Sequence, residues 1–278
     1  MSILNKKLSS AFKLRSVIKV ITGLSNVNLQ HIIQITKASE IAGADYIDTI
    51  ANPKVVRILK SLTKLPICVS SIDPLELYNC ILAGADLVEI GNFDIFYKKN
   101  ILFSSSQILE LAIQTRALIK HKDISVTIPS TLNLRSQVYL AKQLEIIGVN
   151  IIQTEGFTNY SSRNIIPIIN NYLSESILTS IYFSSISLFS TYVISKSVDI
   201  PVVSSSGINT LSSIMAFFYG AAGIGLGSSV KIQNGIYGIT NYINNIRYGI
   251  NFIHSYKSKT ILFPARSNNK VVSYKNLV

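Results

Sequence analysis

The chain has 278 residues, 48% hydrophobic and only 14% charged, and its net charge of +12 comes from its two ends, since residues 1–39 and 200–278 hold no acid. Such a chain can bury a sizeable core, as one large α/β barrel or two smaller domains, and its basic rim is expected to be solvated rather than a nucleic-acid surface. Neither charge-free stretch, Ser176–Ser195 or Ile200–Val230, is an unbroken run of about 20 apolar residues, and the N-terminus lacks an apolar core with a cleavage site, so no membrane span or secretory signal is expected.

In chain order, residues 1–15 form an amphipathic lead-in through Leu8, Phe12 and Leu14. Val17–Thr22 is the first strand, and Asn28–Ala42 has helical spacing at Ile32, Ile35, Ala38, Ser39 and Ala42. A module then recurs on Gly43, Gly84, Gly148 and Gly220. Each glycine ends a helix, where a left-handed cap favours glycine, and a strand follows it, such as Ala-Asp-Tyr-Ile-Asp or Ala-Asp-Leu-Val-Glu. Strands at Val17–Thr22, Pro66–Ser70, Asp123–Ile128 and Ile200–Ser204 alternate with these. Helices are expected over Pro53–Leu62, Pro74–Ala83, Ser104–Lys120, Leu132–Ile147, Asn209–Tyr219 and within Ser228–Ile253, with two helical pieces in Asn164–Ser197. Residues 255–278 carry no predicted element. Cys68 and Cys80 lack a CxxC partner and metal-ligand spacing and read as buried thiols, so no metal site is expected.

Short Val- and Ile-rich strands separated by helices imply a parallel sheet, and eight such units in about 250 residues make a (β/α)8 TIM barrel. The barrel is expected as a single domain over 16–254, with short basic extensions at 1–15 and 255–278. A doubly wound sheet is the alternative, but no Gly-x-Gly-x-x-Gly follows the first strand.

Active sites of such barrels lie at the C-terminal ends of the strands. Five residues beyond the aligned glycines stand Asp48, Glu89, Gln153 and Gly225; seven beyond stand Ile50, Gly91, Glu155 and Gly227. Asp48, Glu89 and Gln153 are expected in one layer of the mouth, with Glu155 one layer higher. The other strands add Lys19, Ser70, Thr127 and Ser205. A charge in a buried strand is costly unless paired or functional. Lys19 with Asp48 or Glu89 is therefore either a structural ion pair or an acid/base set, in which burial pulls the lysine pKa down and the carboxylate pKa up. Asp45, Asp86 and Asn150, two residues beyond each glycine, fall on the opposite face and read as turn caps. His31, His121 and His254 stand away from strand ends. The loops Gly91–Phe103, with Asn92, Phe93, Asp94 and Tyr97, and Gly156–Arg163, with Thr158 and Asn159, are lid candidates.

The last quarter reads Ser-Ser-Ser-Gly-Ile-Asn, a helix, then Gly-Ile-Gly-Leu-Gly-Ser-Ser. Two glycine turns after neighbouring parallel strands can aim backbone N–H groups at one point, and a helix starting after the second adds its positive end. Ser206, Gly207, Ile208, Gly227 and Ser228 are the expected phosphate cradle, with Ser229 a further hydroxyl. Thr127, Gln153 and Ser70 are expected to touch substrate, with Lys19, Glu89, Asp48 and Glu155 doing chemistry.

The pieces Ile18-Lys19-Val20-Ile21, Val88-Glu89-Ile90-Gly91-Asn92-Phe93-Asp94, Ile152-Gln153-Thr154-Glu155-Gly156 and Ser206-Gly207-Ile208 with Gly225-Leu226-Gly227-Ser228 resemble the family called hypothetical chloroplast reading frame twenty-three. The resemblance covers residues 15–250. It implies an aldolase-type barrel in a plastid or cyanobacterial cell, here soluble and stromal, and brings no established activity. The chain departs from the family around Asn164–Ile181 and in its C-terminal tail. Three functions follow as expectations: an isomerase, epimerase or lyase of a small phosphorylated metabolite; a flavin-phosphate oxidoreductase using the same cradle; or a non-catalytic assembly protein that binds an acidic partner through its basic ends.

Overall fold

The chain forms a closed barrel of eight parallel strands in sequence order, seen in a computed structural model that describes residues 3–23, 26–91, 93–97, 99–156 and 177–259. The strands are β1 (Val17–Ile21), β2 (Tyr46–Ile50), β3 (Ile67–Ser71), β4 (Leu87–Ile90), β5 (Asp123–Ile128), β6 (Ile151–Thr154), β7 (Val202–Ser204) and β8 (Gly223–Leu226). Closure comes from β1 pairing with β8, with Val17 opposite Gly223 and Val20 opposite Leu226.

Alternation along each strand sorts its side chains onto two sides. Outward residues such as Ile18, Val20, Ile47, Val69, Val88, Val126 and Ile152 pack beneath the helices as the main core. Inward residues at the strand starts, Val17, Tyr46, Cys68, Leu87, Ile151 and Val203, form an apolar floor. Helix α1 (Lys6–Lys13) closes that floor with Leu8 and Phe12, so the lead-in is a plug. Leu4 and Asn5 tether the plug by donating N–H bonds of 2.8 Å to the Asp123 carboxylate at the start of β5.

The outer helices are α2 (Leu29–Ile41), α3 (Pro53–Leu62), α4 (Pro74–Leu82), α5 (Asp94–Tyr97), α6 (Ser105–Leu118), α7 (Leu134–Ile146), α8 (Ile177–Ser195), α9 (Thr210–Phe218), α10 (Ser228–Lys231) and α11 (Gly235–Lys259). Asn28, Asn52, Asp73, Ser104, Asn133 and Asn209 each accept from first-turn N–H groups, which fixes six helix starts. No described helix is long and apolar enough to cross a membrane. The uncharged α8 instead buries Ser184, Ser187, Ser190 and Thr191 against β6 and β7, where Thr154 Oγ1 meets Thr191 Oγ1 at 2.8 Å.

Two helical expectations change. The segment after β8 is two helices, not one, because Gly235 at φ 67° breaks it after a single turn. The second, α11, runs on through 255–259, where the sequence reading predicts no element. Of the elaborated sixth connection, residues 157–176 lie outside the described residues, including Thr158 and Asn159.

The recurring glycines all take positive φ, at 68° (Gly43), 110° (Gly84), 89° (Gly148) and 101° (Gly220). Three of them have an arginine on their carbonyl: Arg247 on Gly43, Arg116 on Gly148 and Arg15 on Gly220. Asp45, Asp86 and Asn150 accept the N–H of Ile18, Ile67 and Ile124, which lie within the first two residues of the neighbouring odd strands. Arg247, Lys60 and Arg116 then bind those same side chains. The turn-cap reading of these residues holds, and Arg15 and Arg247, from the basic ends of the chain, are engaged at the base of the barrel.

Arg116 donates to the carbonyls of Ile119, Lys122 and Gly148 and to Asn150. Arg116→Ala strips four acceptors at once and is expected to lower stability by about 2–4 kcal/mol in urea denaturation, because bonds from a charged donor are worth about 1.5–3 kcal/mol each and are not additive. The exposed Arg57→Ala should stay within about 0.5 kcal/mol of wild type.

Candidate functional site

Above the apolar floor the inward positions turn polar and ionic. Lys19 is fully buried, as are Asp48 and Glu89. Its Nζ donates to Glu89 Oε2 at 2.7 Å and to Gln153 Oε1 at 2.8 Å, and lies 2.8 Å from Asp48 Oδ2. That last oxygen takes no well-directed hydrogen bond; its partner is the ammonium charge. The remaining carboxylate oxygens are held by hydroxyls and an amide. Ser70 Oγ donates to Asp48 Oδ1 at 2.7 Å, and Ser125 Oγ to Glu89 Oε2 at 2.8 Å. Thr127 Oγ1 and Gln153 Nε2 donate to Glu89 Oε1 at 3.2 and 2.8 Å. The predicted layer is thus real: Asp48, Glu89 and Gln153 converge on Lys19.

The lysine differs from expectation in its proton affinity. Burial works to lower the Lys19 pKa, but the Asp48 and Glu89 charges outweigh it and hold the amine well above the ordinary lysine value. Lys19 is therefore a locked ammonium, the opposite of the depressed pKa a Schiff-base lysine needs. For Glu89, burial raises the pKa; Lys19 opposes that and Asp48 adds to it. One ammonium against two buried carboxylates leaves one negative charge uncompensated, and Glu89 is where a proton relieves it.

Over this layer opens a cavity of about 240 Å³. Glu89, Thr127 and Gln153 reach its floor, whereas Lys19, Asp48 and Ser70 stand beneath it and do not line it. Ser206, Gly207, Ile208, Gly227 and Ser228, from the neighbouring ends of β7 and β8, also line the cavity. Ser206 and Gly207 both have φ 71°, and a Cβ on Gly207 would come within 2.3 Å of the Phe183 carbonyl oxygen on α8. The turn is therefore pressed against that helix. Among the described residues the N–H groups of Ile208, Gly227 and Ser228 have no protein acceptor. Ser229 Oγ donates to the Ile208 carbonyl at 3.0 Å, so it ties the two turns together and does not face the cavity as a free hydroxyl. The helix expected to add its positive end is the single turn α10, whose dipole is small.

Glu155 also lines the cavity, at the end of β6 and beside the β7 turn: an added Cβ on its neighbour Gly156 would stand 3.1 Å from Ser206. The Glu155 carboxylate accepts from Tyr97 Oη at 2.9 Å and from the Ser130 N–H at 3.1 Å. Tyr97 sits on α5, in the loop after β4, and Phe93 and Ile95 of that loop also line the cavity. Glu155 thus anchors the loop over the mouth. Asn92 lies outside the described residues. Sequence reasoning missed Ile21, Ile95 and Lys231 as lining residues. Ile21 was legible, being two residues beyond Lys19 on the same face of β1; Lys231 was not, because its place depends on where α10 ends.

The raised Glu89 pKa has a measurable consequence. Above its ordinary value of 4.5 the native state keeps a proton that the unfolded chain has released. Stability therefore falls as pH rises from about 4.5 through the folded value. Glu89→Gln cannot titrate and is expected to flatten this part of the urea-stability profile relative to wild type; an identical slope in both proteins would show that Glu89 does not carry the extra proton.

The chain matches the family described as Protein of unknown function (DUF561) over residues 3–256. It is 43% identical over 270 residues to "Uncharacterized protein ycf23" of Antithamnion sp., covering 96% of this chain and 97% of that protein. Against the protein of the same description from Cyanophora paradoxa it is 40% identical over 250 residues, covering 90% and 98%. Among solved structures it is similar to 3-hexulose-6-phosphate synthase from Salmonella typhimurium, with TM-score 0.59, 12% identity and coverage of 86% and 99%; that likeness concerns the fold alone. On its sequence the chain belongs to the ycf23 family, plastid-associated proteins of algae, and it carries that sequence on an eight-stranded parallel TIM barrel.

Proposed function

We propose that this chain is an isomerase or epimerase of a small phosphorylated carbonyl compound, with Glu89 as the group that moves the proton. The observation that carries the reading is a pairing within one cavity: a carboxyl group of raised pKa on the floor, and on the wall backbone N–H groups that have no protein acceptor among the described residues. Such a carboxyl is a stronger base when ionised and a usable acid when protonated. Phosphate held on the wall would place the carbon next to the carbonyl over Glu89. Glu89 takes the proton from that carbon as the C–H electron pair moves into an enediolate, and returns it to the neighbouring carbon while the adjacent hydroxyl proton passes to the former carbonyl oxygen (isomerisation); return to the same carbon inverts it (epimerisation) only when the enediolate turns its other face to Glu89. Thr127 and Gln153, both bonded to Glu89 Oε1, orient the carboxylate. Asp48 and Ser70 act from beneath, by fixing the charge around Lys19.

The locked Lys19 ammonium favours proton transfer over a lyase that runs through a Schiff base. The cavity size, about 240 Å³, is below the roughly 300–1,000 Å³ of sites that take drug-sized ligands, which favours a compact metabolite over a flavin phosphate. The use of Arg15 and Arg247 on backbone carbonyls leaves fewer charges for an acidic protein partner.

In deuterated water the protein is expected to exchange the carbon-bound proton beside the carbonyl of at least one member of a panel of phosphorylated three- to six-carbon ketoses and aldoses, read by proton NMR. Glu89→Gln should slow that exchange by about 10²–10⁴-fold, the usual contribution of a positioned acid/base. Exchange at the wild-type rate in the variant would exclude Glu89 from the role.

A further inference from the structure

The proposed site has a charge problem. A phosphomonoester brings about −1.5 to −2 charge at pH 7. Glu89 on the floor and Glu155 on the wall are acidic, the wall N–H groups are neutral dipoles, and α10 is too short to add a helix dipole. Among the described residues lining the cavity, one is a cation: Lys231.

Its position is built by two features far apart in sequence. Lys231 is four residues beyond Gly227, and its N–H closes the single turn of α10 on the Gly227 carbonyl at 3.2 Å. Its side chain then lies across Gly23, just past the end of β1, the strand that pairs with β8. A Cβ at position 23 would stand 2.6 Å from Lys231 Nζ and 2.7 Å from Cε, so any side chain there would displace the ammonium. Gly23 also has φ 109°, a conformation that glycine alone adopts easily. The path that brings the ammonium to the rim depends on both.

We propose that Lys231 is the counter-charge of the phosphate site, seated by Gly23, and that the site's ligand is a compact dianionic phosphomonoester. The inference rests on the reading of the wall as a phosphate cradle. Backbone N–H groups give the site its geometry, and Lys231 gives it preference for two negative charges over one. The cavity holds about eight waters' share of liquid volume, which suits a phosphate head on a chain of about three to five carbons. Because Lys231 is solvent-exposed, its contribution is that of a partly screened charge.

The test is a titration with inorganic phosphate, then with glycerol phosphate, followed by phosphorus NMR. Wild type is expected to bind both. Lys231→Met should bind them about five- to tenfold more weakly, with a flatter dependence on salt, and Lys231→Arg should restore most of the loss. Equal affinity and equal salt dependence in wild type and Lys231→Met would overturn the role of Lys231 while leaving the cradle intact. A loss in Lys231→Met that the arginine does not restore would overturn it too, since the effect would then not be one of charge. Absence of phosphate binding by wild type would overturn the cradle itself, and the inference with it.

Discussion

The buried ammonium of Lys19 is the constraint on which the interior depends. A lysine at the centre of a barrel, with no access to water, must be matched at once by charge and by hydrogen bonds. β2 and β4 supply the carboxylates, β6 the amide oxygen, and Ser70, Ser125 and Thr127 occupy the carboxylate oxygens that the lysine leaves over. Six of the eight strands are thereby held to one register. A slip of one residue in any of them would turn its polar side chain outward and bury an apolar one in its place. The same arrangement has chemical potential because it is not neutral. A neutral pair would be inert, whereas the second carboxylate leaves a proton to be gained or lost at Glu89.

Below that layer the barrel is organised for stability. Leu8, Phe12 and Tyr46 fill the floor, and the amide N–H groups of Leu4 and Asn5 hold the plug to Asp123. Around the base, long basic side chains reach across to the carbonyls of helix ends. This accounts for part of the excess charge at the two ends of the chain. β1 pairs with β8, so the chain ends meet, and Arg15 and Arg247 serve as staples where the first and last quarters join.

Much of this was legible in the sequence because the four-fold glycine repeat is also a ruler. Strand faces have a period of two, so a count from Gly43, Gly84 and Gly148 suffices to place Asp48, Glu89 and Gln153 in one layer. It equally sends Asp45, Asp86 and Asn150 to the base. Two features escaped for physical reasons. The direction of the Lys19 pKa is a contest between desolvation and two carboxylates, and no spacing tells which wins. The end of α10 was hidden because Asn234-Gly235 lies inside an otherwise helical pattern, and with it went the position of Lys231. The Asn-Gly pair is itself a turn signal and could have marked the break.

The fourth quarter departs from the other three in a way the contacts explain. At Gly225, level with Asp48, Glu89 and Gln153, an added Cβ would lie 2.6 Å from Ser205 Oγ, so no side chain fits. At Gly227, level with Glu155, the nearest neighbour of an added Cβ is Ile21 Cβ at 3.8 Å. Sterics inside the protein would allow a side chain there; what it would occupy is the cavity. The two glycines therefore have different causes, one set by packing and one by open space beside the N–H groups of Gly227 and Ser228. Asp48 and Glu89 come from β2 and β4 and Glu155 from the end of β6, while β7 and β8 present backbone and small side chains to the cavity. A β8 carrying the acidic residues of the other quarters would fill that open space and crowd further negative charge beside Glu89 and Glu155.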